Sequence, residues 1–212
     1  MNQNNNVPLL VGILIFDQVE LLDVAGPFEV FSVTRLNEKK EKGEWSSPFK
    51  VILIAEKLGQ IPTIGGLRLS ADVSFETCPK LDLLIVPGGW GTRREVNNDG
   101  LVRWIADRSV HSKITASVCT GSSLLGKAGL LDGRESTTHF QAFDFLRQSA
   151  PNTEIREDVL FTLTEPIFTS AGVSAGIDLA LLIVSHFFGE EVGLATAHHM
   201  EYPYPQNNKR RQ

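Results

Sequence analysis

The sequence contains two cysteines, and Cys119 lies where a reactive group would be expected. It follows the apolar, β-type run ITASV at 114–118 and precedes the apolar helical run GSSLLGKAGLL at 121–131. Small neighbours suit a sharp strand-to-helix turn, which presents a nucleophile above a sheet. Because a helix N-terminus favours a thiolate, we predict an exposed thiol of lowered pKa. A small buried hydrophobe is the alternative for a free cysteine.

A second feature is the glycine turn in VPGGWG, residues 86–91. It ends an apolar run, and glycine allows backbone amides to approach a ligand closely. We therefore predict that the amide of Gly88 or Gly89, together with the amide of Thr120, faces a developing anion. A tight turn without a function is the alternative. The spacing differs from the G-x-G-x-x-G of dinucleotide sites.

A third feature is Asp23, an acid among apolar residues in LLDVAGPFEVF, residues 21–31. One interpretation is a helix cap, with Pro27 in the first turn of the helix. The other is a carboxyl in a desolvated pocket, which keeps its proton and can donate it. The residue types leave both interpretations open.

Alternating strands and helices must position these residues. Continuously apolar runs predict buried strands, whereas amphipathic or apolar runs with helical spacing predict helices. This alternation is typical of an α/β fold with a parallel sheet covered by helices on both faces. Residues 37–45 are predicted to be a charged loop and 61–75 a hairpin or edge element. The predicted strands are 8–16, 49–56, 81–89, 114–118 and a pair within 159–170, and the predicted helices lie within 19–36, 100–112, 121–131, 139–148, 175–189 and 190–200.

Composition sets the class of protein. With 212 residues, 42% of them hydrophobic, we expect one domain over 8–205, a disordered tail at 1–7 and a flexible tail at 206–212. A net charge of −5 argues against nucleic acid or an anionic membrane as partner. Two cysteines, no signal-peptide pattern and no membrane-length apolar run indicate a cytoplasmic protein.

Taken together, these motifs resemble the ThiJ/PfpI superfamily, whose fold is like that of class I glutamine amidotransferases. The resemblance rests on LLDVAGPFEVF, LDLLIVPGGWG, SVCTGSSLLGKAGLLDGRESTTHF, SAGVSAGIDLALLIVSHFFGEE and EYPYP, which together span nearly the whole chain. Within the superfamily, the similarity is greatest to the isocyanide (isonitrile) hydratase branch.

The resemblance implies a flavodoxin-like three-layer sandwich with a mainly parallel central sheet and a cysteine nucleophile elbow. It also implies a homodimer, with Cys119 as nucleophile and Asp23 as its acid. The hydratase branch has an aspartate at the acid position and a threonine after the cysteine, matched here by Asp23 and Thr120. The peptidase-like branch has a histidine after the cysteine, so Thr120 argues against peptidase action.

The remaining candidate ligands are assigned structural roles. His139 matches a histidine common near the cysteine in the superfamily, and we expect it to serve as a helix cap or to contact the site residues from outside the site, rather than to act as a general base. His198 and His199 are adjacent and lack the His-x-x-x-His spacing of a metal pair. Cys78 precedes a proline in a loop and is interpreted as structural. We expect no metal and no cofactor.

The expected function is hydration of an isocyanide to an N-substituted formamide through a Cys119 thioimidate. One alternative is a stand-alone ligand or redox sensor related to the amino-terminal domain of AraC-type regulators. Because the chain ends at Gln212, no fused DNA-binding region is expected. A second alternative is a glyoxalase or deglycase acting on small reactive carbonyls. In every case the partner is a small molecule, with no nucleic acid and no membrane.

Overall fold

A computed structural model describes residues 7–36, 47–204 and 207–210 of the chain. The predicted charged loop at 37–45 and all but the last residue of the predicted N-terminal tail lie outside the described residues. The strands are β1 (Leu9–Leu14), β2 (Phe49–Ala55), β3 (Gln60–Pro62), β4 (Arg68–Ser70), β5 (Val73–Ser74), β6 (Leu83–Val86), β7 (Ile114–Val118), β8 (Glu135–Ser136), β9 (Glu154–Ile155), β10 (Phe161–Thr164) and β11 (Ile167–Ser170). The helices are α1 (Leu21–Val33), α2 (Thr92–Glu95), α3 (Asp99–His111), α4 (Gly121–Lys127), α5 (Phe143–Ser149), α6 (Ala175–Phe188) and α7 (Glu190–His199).

The core is a seven-stranded sheet in the order β10-β11-β7-β6-β1-β2-β5. Every pairing in it is parallel except the β10–β11 hairpin at one edge. Helices α1, α6 and α7 contact one another as one group, and α2, α3, α4 and α5 form a second group around α4. The predicted α/β fold with a mainly parallel sheet is confirmed. No helix in the described ranges is long and apolar enough to cross a bilayer.

Continuous burial explains why strands β6 and β7 carry no charged side chain. All four residues of β6 and all five of β7 are buried, because helices cover both faces of a parallel sheet. Strand β1 lies between β6 and β2, and the chain order reverses direction at this point of the sheet. Ligands bind at such reversals, outside the carboxyl ends of the strands. The segments after β1, β6 and β7 therefore meet at this edge of the sheet.

Two helix starts differ from the predictions. The sequence predicts Pro27 in the first turn of its helix, but α1 begins six residues earlier, after the extended residue Glu20. Pro27 lies inside α1, where it cannot donate a hydrogen bond to the carbonyl four residues before it. Helix α5 begins at Phe143 rather than near 139, because the Ala142 amide donates to the His139 carbonyl (2.8 Å) and closes a turn first.

The predicted flexible tail includes residues that bond to the domain. Asn208 Oδ1 accepts the amides of Leu160 (3.1 Å) and Phe161 (3.0 Å), and Asn208 Nδ2 donates to the Phe161 carbonyl (2.8 Å). Arg210 donates to Thr137 Oγ1 and to the Thr138 carbonyl. This four-residue segment, 207–210, therefore completes the backbone hydrogen bonds at the start of β10, a sheet edge that hydrophobic patterning alone does not identify as covered.

We expect Asn208→Ala to lower the free energy of unfolding by about 1–2 kcal/mol, because it removes three hydrogen bonds to the start of β10. Urea unfolding followed by circular dichroism measures the change. Asn207→Ala is the matched control: Asn207 is exposed and its Oδ1 bonds the nearby Lys209 amide. Equal stability of the two variants would show that the tail does not support the sheet edge.

Candidate active site

Cys119 sits in the turn between β7 and α4 with a positive φ of 57°. This left-handed conformation costs a residue with a side chain about 1–3 kcal/mol, and it persists only where neighbouring groups enforce it. The Cys119 amide donates to the Ser170 carbonyl (3.1 Å), and its carbonyl accepts Thr138 Oγ1 (2.9 Å) and Ser122 Oγ (3.1 Å). The strained strand-to-helix geometry that the sequence predicts at Cys119 is therefore present in the structure.

Two glycines make room for this turn. A Cβ on Gly88 would lie 2.8 Å from Cys119 Cβ and 2.6 Å from the Thr120 amide nitrogen. A Cβ on Gly172 would lie 2.6 Å from Cys119 Sγ. Gly88 is among the predicted site residues, whereas Gly172 is not. Its signal in the sequence is the segment SAGVSAG, whose first glycine lies two residues after the end of β11, the strand that pairs with β7.

Asp23 does not cap a helix. It lies in the first turn of α1, completely buried, and Oδ2 accepts the Gly88 amide at 2.9 Å. Oδ1 has no hydrogen-bond partner at standard geometry among the described residues. Burial holds the pKa of this carboxyl well above its usual range, and the charge of Glu20 adds to that effect, while the Gly88 amide opposes it. Of the two interpretations of Asp23, the structure therefore favours the buried, proton-retaining carboxyl.

The predicted exposed and acidic thiol is wrong on both points. Cys119 is only 7% exposed, and burial raises its pKa, with a further contribution from the neighbouring Asp23 charge. Hydrogen bonds from the amide and hydroxyl of Thr120 partly oppose this rise. A helix N-terminus contributes at most about 2 kcal/mol, less than the desolvation of a fully buried group. The negative charges of the thiolate and the Asp23 carboxylate therefore disfavour each other, and burial favours the protonated form of both groups.

The glycine amides have partners other than the predicted anion. The Gly88 amide donates to Asp23, and the Gly89 amide donates to Thr120 Oγ1 at 3.0 Å. Thr92 Oγ1, a residue that sequence reasoning missed, lies 3.0 Å from the same oxygen. The Thr92 hydroxyl also lies 2.7 Å from the Gly89 carbonyl, and the Thr120 hydroxyl can donate its single hydrogen either to that carbonyl, at 3.2 Å, or to the Cys119 sulfur. Gly88 and Gly89 thus orient the acid and the threonine, and the Thr120 amide remains the donor that faces the thiol.

A cavity of about 230 Å³ opens above the thiol; we call it the Cys119 cavity. Sequence reasoning identified four of its residues as site residues: Gly89, Cys119, Thr120 and His139. It missed the others, because a local pattern does not show which neighbouring side chains face the thiol. The residues it missed are the apolar Ile64, Trp90, Ala142 and Val173 and the polar Glu20, Arg93 and Gln141.

His139 lines the Cys119 cavity directly, rather than contacting the site residues from outside the cavity. Burial lowers the pKa of its imidazole, and the positive charge of Arg210 lowers it further, against a smaller opposing effect of Glu20. His139 Nδ1 accepts the Gln141 amide at 3.3 Å, which leaves Nε2 as the protonated nitrogen of the neutral ring. This arrangement provides a neutral hydrogen-bond donor near the cavity.

The other sequence candidates lie elsewhere. Cys78 is buried with its thiol on the Pro79 carbonyl (3.4 Å), and His198 and His199 are exposed on α7. Within the described ranges no three side chains of His, Cys, Asp or Glu are grouped to hold a metal ion. The absence of a metal and a cofactor stays a prediction.

Comparison with known proteins gives a family for this arrangement. The model of the DJ-1/PfpI family matches residues 10–186. The isonitrile hydratase of Pseudomonas putida is 32% identical over 195 residues, which cover 92% of this chain and 78% of the hydratase. The HTH-type transcriptional regulator GbdR of Pseudomonas aeruginosa is 26% identical over 98% of this chain, but the chain spans only 54% of that regulator. A deglycase of Pyrococcus abyssi is 29% identical over 60% of this chain and 70% of its own length.

Solved structures agree with the sequence matches. A ThiJ/PfpI family protein from Pseudomonas syringae superimposes with a TM-score of 0.80 at 28% identity, covering 95% of this chain and 78% of that protein. Drosophila melanogaster DJ-1beta gives a TM-score of 0.79 at 16% identity, with 93% and 100% of the two chains covered. At this low identity, the similarity to DJ-1beta is a similarity of fold alone.

We expect Gly172→Ala to slow alkylation of Cys119 by iodoacetamide about tenfold, because the new methyl group occupies the space of the sulfur. Mass spectrometry of the peptide containing Cys119 gives the rate. Gly100→Ala is the control, since a Cβ there meets nothing closer than Asn98 Oδ1 at 3.3 Å. Unfolding curves establish that both variants fold. An unchanged alkylation rate in folded Gly172→Ala would contradict the packing argument.

We expect Arg210→Met to raise the pKa of His139, because it removes the positive charge that disfavours the imidazolium. Nuclear magnetic resonance titration of the histidine Cε1 protons measures this value, with His139→Gln used to assign the signal. Arg210→Lys keeps the charge and should stay closer to wild type, and Lys209→Met, at an exposed position, should leave the pKa unchanged. A lower pKa in Arg210→Met would refute the electrostatic assignment.

Proposed function

The chain belongs to the DJ-1/PfpI family, and we propose that it is a cysteine-dependent isonitrile hydratase that converts a small isocyanide to an N-substituted formamide. The observation that carries the proposal is the buried pair of Asp23 and Cys119 beneath the Cys119 cavity, in which the Gly88 amide holds the carboxyl. An isocyanide needs a soft nucleophile and a proton at the same carbon, and this pair offers both. The similarity to the Pseudomonas putida isonitrile hydratase supports the same activity.

The first step forms a thioimidate. As the Cys119 sulfur attacks the terminal carbon of R–NC and forms the S–C bond, Asp23 gives its proton to that carbon and takes the thiol proton in its place. The product is R–N=CH–S–Cys119, with Asp23 protonated again. A buried carboxyl of raised pKa suits this exchange, because it keeps its own proton until the carbon can accept it. The Thr120 amide and hydroxyl stabilise the sulfur while it carries negative charge.

The second step consumes water. A water molecule adds to the thioimidate carbon, its proton passing to the nitrogen, and gives a tetrahedral carbon bearing NH–R, OH and sulfur. The S–C bond then breaks, the hydroxyl proton returns to the Asp23–Cys119 pair, and R–NH–CHO leaves. The sum is R–NC plus water giving one formamide. His139, as a neutral donor that lines the cavity, is placed to orient the water.

A sensor is the second candidate function. The similarity to the regulator GbdR covers nearly the whole chain but only about half of the regulator. In such a domain the same cavity would hold a ligand without turnover, or Cys119 would be oxidised reversibly. Its low exposure and raised pKa argue against ready oxidation, since the thiolate is the reactive form.

A glyoxalase or deglycase is the third candidate, supported by the similarity to the Pyrococcus abyssi deglycase. Such an enzyme uses a comparable thiol and acid on small reactive carbonyls. The acid here is Asp23, whose shorter side chain is that of the hydratase branch, and this weighs against the carbonyl chemistry.

Two further properties are part of the proposal. We place the protein in the cytoplasm, because both cysteines are free thiols, as in a reducing compartment. We also propose that it is a homodimer, for which the exposed apolar side chains of α1 and of the β3–β4 hairpin region are interface candidates: Leu22, Phe28, Ile64 and Leu67.

We expect wild-type protein to convert an aromatic isocyanide to its formamide, followed spectrophotometrically, and Cys119→Ala to show no turnover. Asp23→Asn should lose turnover about 100-fold or more, because the amide cannot transfer the proton. Alkylation of Cys119 should nevertheless proceed at least as fast in Asp23→Asn, since the negative neighbour that raises the thiol pKa is gone. Cys78→Ala is the matched thiol control and should keep full activity.

Other outcomes would contradict the proposal or favour another candidate function. Full turnover in Cys119→Ala would rule out the thioimidate route. Loss of turnover together with loss of alkylation in Asp23→Asn would indicate a collapsed site rather than a missing acid. Methylglyoxal consumption measured beside formamide production separates the two enzyme candidates, and inertness toward both substrates with reversible oxidation of Cys119 by peroxide would favour the sensor.

A further inference from the structure

We propose that Arg93 forms a carboxylate-binding subsite in the outer part of the Cys119 cavity, so that the preferred substrates are small isocyanides bearing a carboxylate. The part of the inference that concerns the isocyanide group rests on the proposed hydratase function. The part that concerns the carboxylate rests on the placement of Arg93.

The Arg93 guanidinium is held by aromatic rings. Its central carbon lies 4.2 Å from the ring centroid of Trp90, which lines the same cavity, and 5.4 Å from that of Phe145. Contacts of this kind use the flat faces of the guanidinium and leave its N–H edges available. Those edges are the groups that bind a carboxylate with two parallel hydrogen bonds.

Arg94, the next residue of α2, has a structural role. Arg94 bonds Asp17 (2.8 Å) and Glu95 (2.6 Å) and does not line the Cys119 cavity. Arg93 has no carboxylate partner among the residues that the structure describes, although it is exposed and borders a cavity. A cation that is positioned by aromatic stacking and has no internal counter-ion is suited to an external anion.

The distribution of charge orients such a substrate. Glu20 lines the cavity next to the reacting groups: its amide donates to the carbonyl of Gly88 (2.9 Å), whose own amide bonds Asp23. A carboxylate would be repelled there, whereas the isocyanide group carries no net charge. The anionic end is therefore directed toward Arg93 and the neutral carbon toward the thiol.

The dimensions of the cavity limit the substrate. With a volume of about 230 Å³ it is at the small end for a ligand site, so a compact molecule is required. Its walls at Ile64 and Val173 are apolar and suit a short hydrocarbon link. Isocyanoacetate has a single carbon between the isocyanide nitrogen and the carboxylate, and it is the probe we choose.

The first test measures the preference of the subsite for a carboxylate without catalysis. It compares the rates at which iodoacetate and iodoacetamide alkylate Cys119. In both reactions the sulfur bonds to the CH₂ carbon, iodide leaves, and the thiol proton passes to solvent. We expect Arg93→Gln to lower the iodoacetate-to-iodoacetamide rate ratio about fivefold or more. Arg93→Lys should lower it less. Arg103→Gln removes the same charge from α3, which contributes nothing to the cavity, and should leave the ratio unchanged.

The second test uses isocyanoacetate and its uncharged methyl ester. We expect Arg93→Gln to lower kcat/KM for the acid about fivefold or more and to leave the ester within twofold of wild type. An alkylation ratio that does not respond to Arg93→Gln, or responds equally to Arg103→Gln, would overturn the subsite. If wild type hydrates neither compound, the hydratase function fails, and the alkylation ratio still decides whether Arg93 binds carboxylates.

Discussion

The site depends on the burial of a carboxyl and a thiol next to each other. Asp23 and Cys119 are both shielded from water, and each negative charge would disfavour the other, so together they retain a proton. Such a pair is costly to bury and stays in place because backbone amides support it: Gly88 bonds the carboxyl and Thr120 faces the sulfur. The same burial gives the site its chemistry, because a carboxyl of raised pKa keeps a proton that it can give to a reacting carbon.

Sheet topology brings the pair together. Strands β1, β6 and β7 are adjacent and parallel, so the segments that follow them meet at one edge, where the chain order of the strands reverses. The thiol reaches the acid because the chain takes a strained turn at Cys119, and glycines at 88 and 172 leave no side chain in the way. Replacing either glycine would place a methyl group where the cysteine or the Thr120 backbone now lies.

In our proposals, the cavity residues around the Cys119–Asp23 pair distinguish one candidate function from another. The hydratase, the regulator and the deglycase are similar to 92%, 98% and 60% of this chain, so similarity over the chain does not by itself select an activity. The lining residues differ in charge: Glu20 is negative, and Arg93, which contacts the Trp90 ring, places a positive charge at the exposed side. In our proposals the inner pair determines the reaction, and these lining residues determine the substrate.

Local patterns in the sequence determined the central strands and most of the helices, and they placed Asp23, Gly88 and Cys119 after strand ends, because apolar periodicity needs no knowledge of distant packing. They did not indicate the short elements α2, β8 and β9. The tertiary structure alone decided the direction of the thiol pKa, since desolvation sums over every surrounding element and outweighs a local helix N-terminus. It also decided which acceptors the glycine amides bond, and it brought Gly172, Arg93 and the tail around Arg210 into place. Those residues lie far apart in the chain, and only the folded packing makes them neighbours.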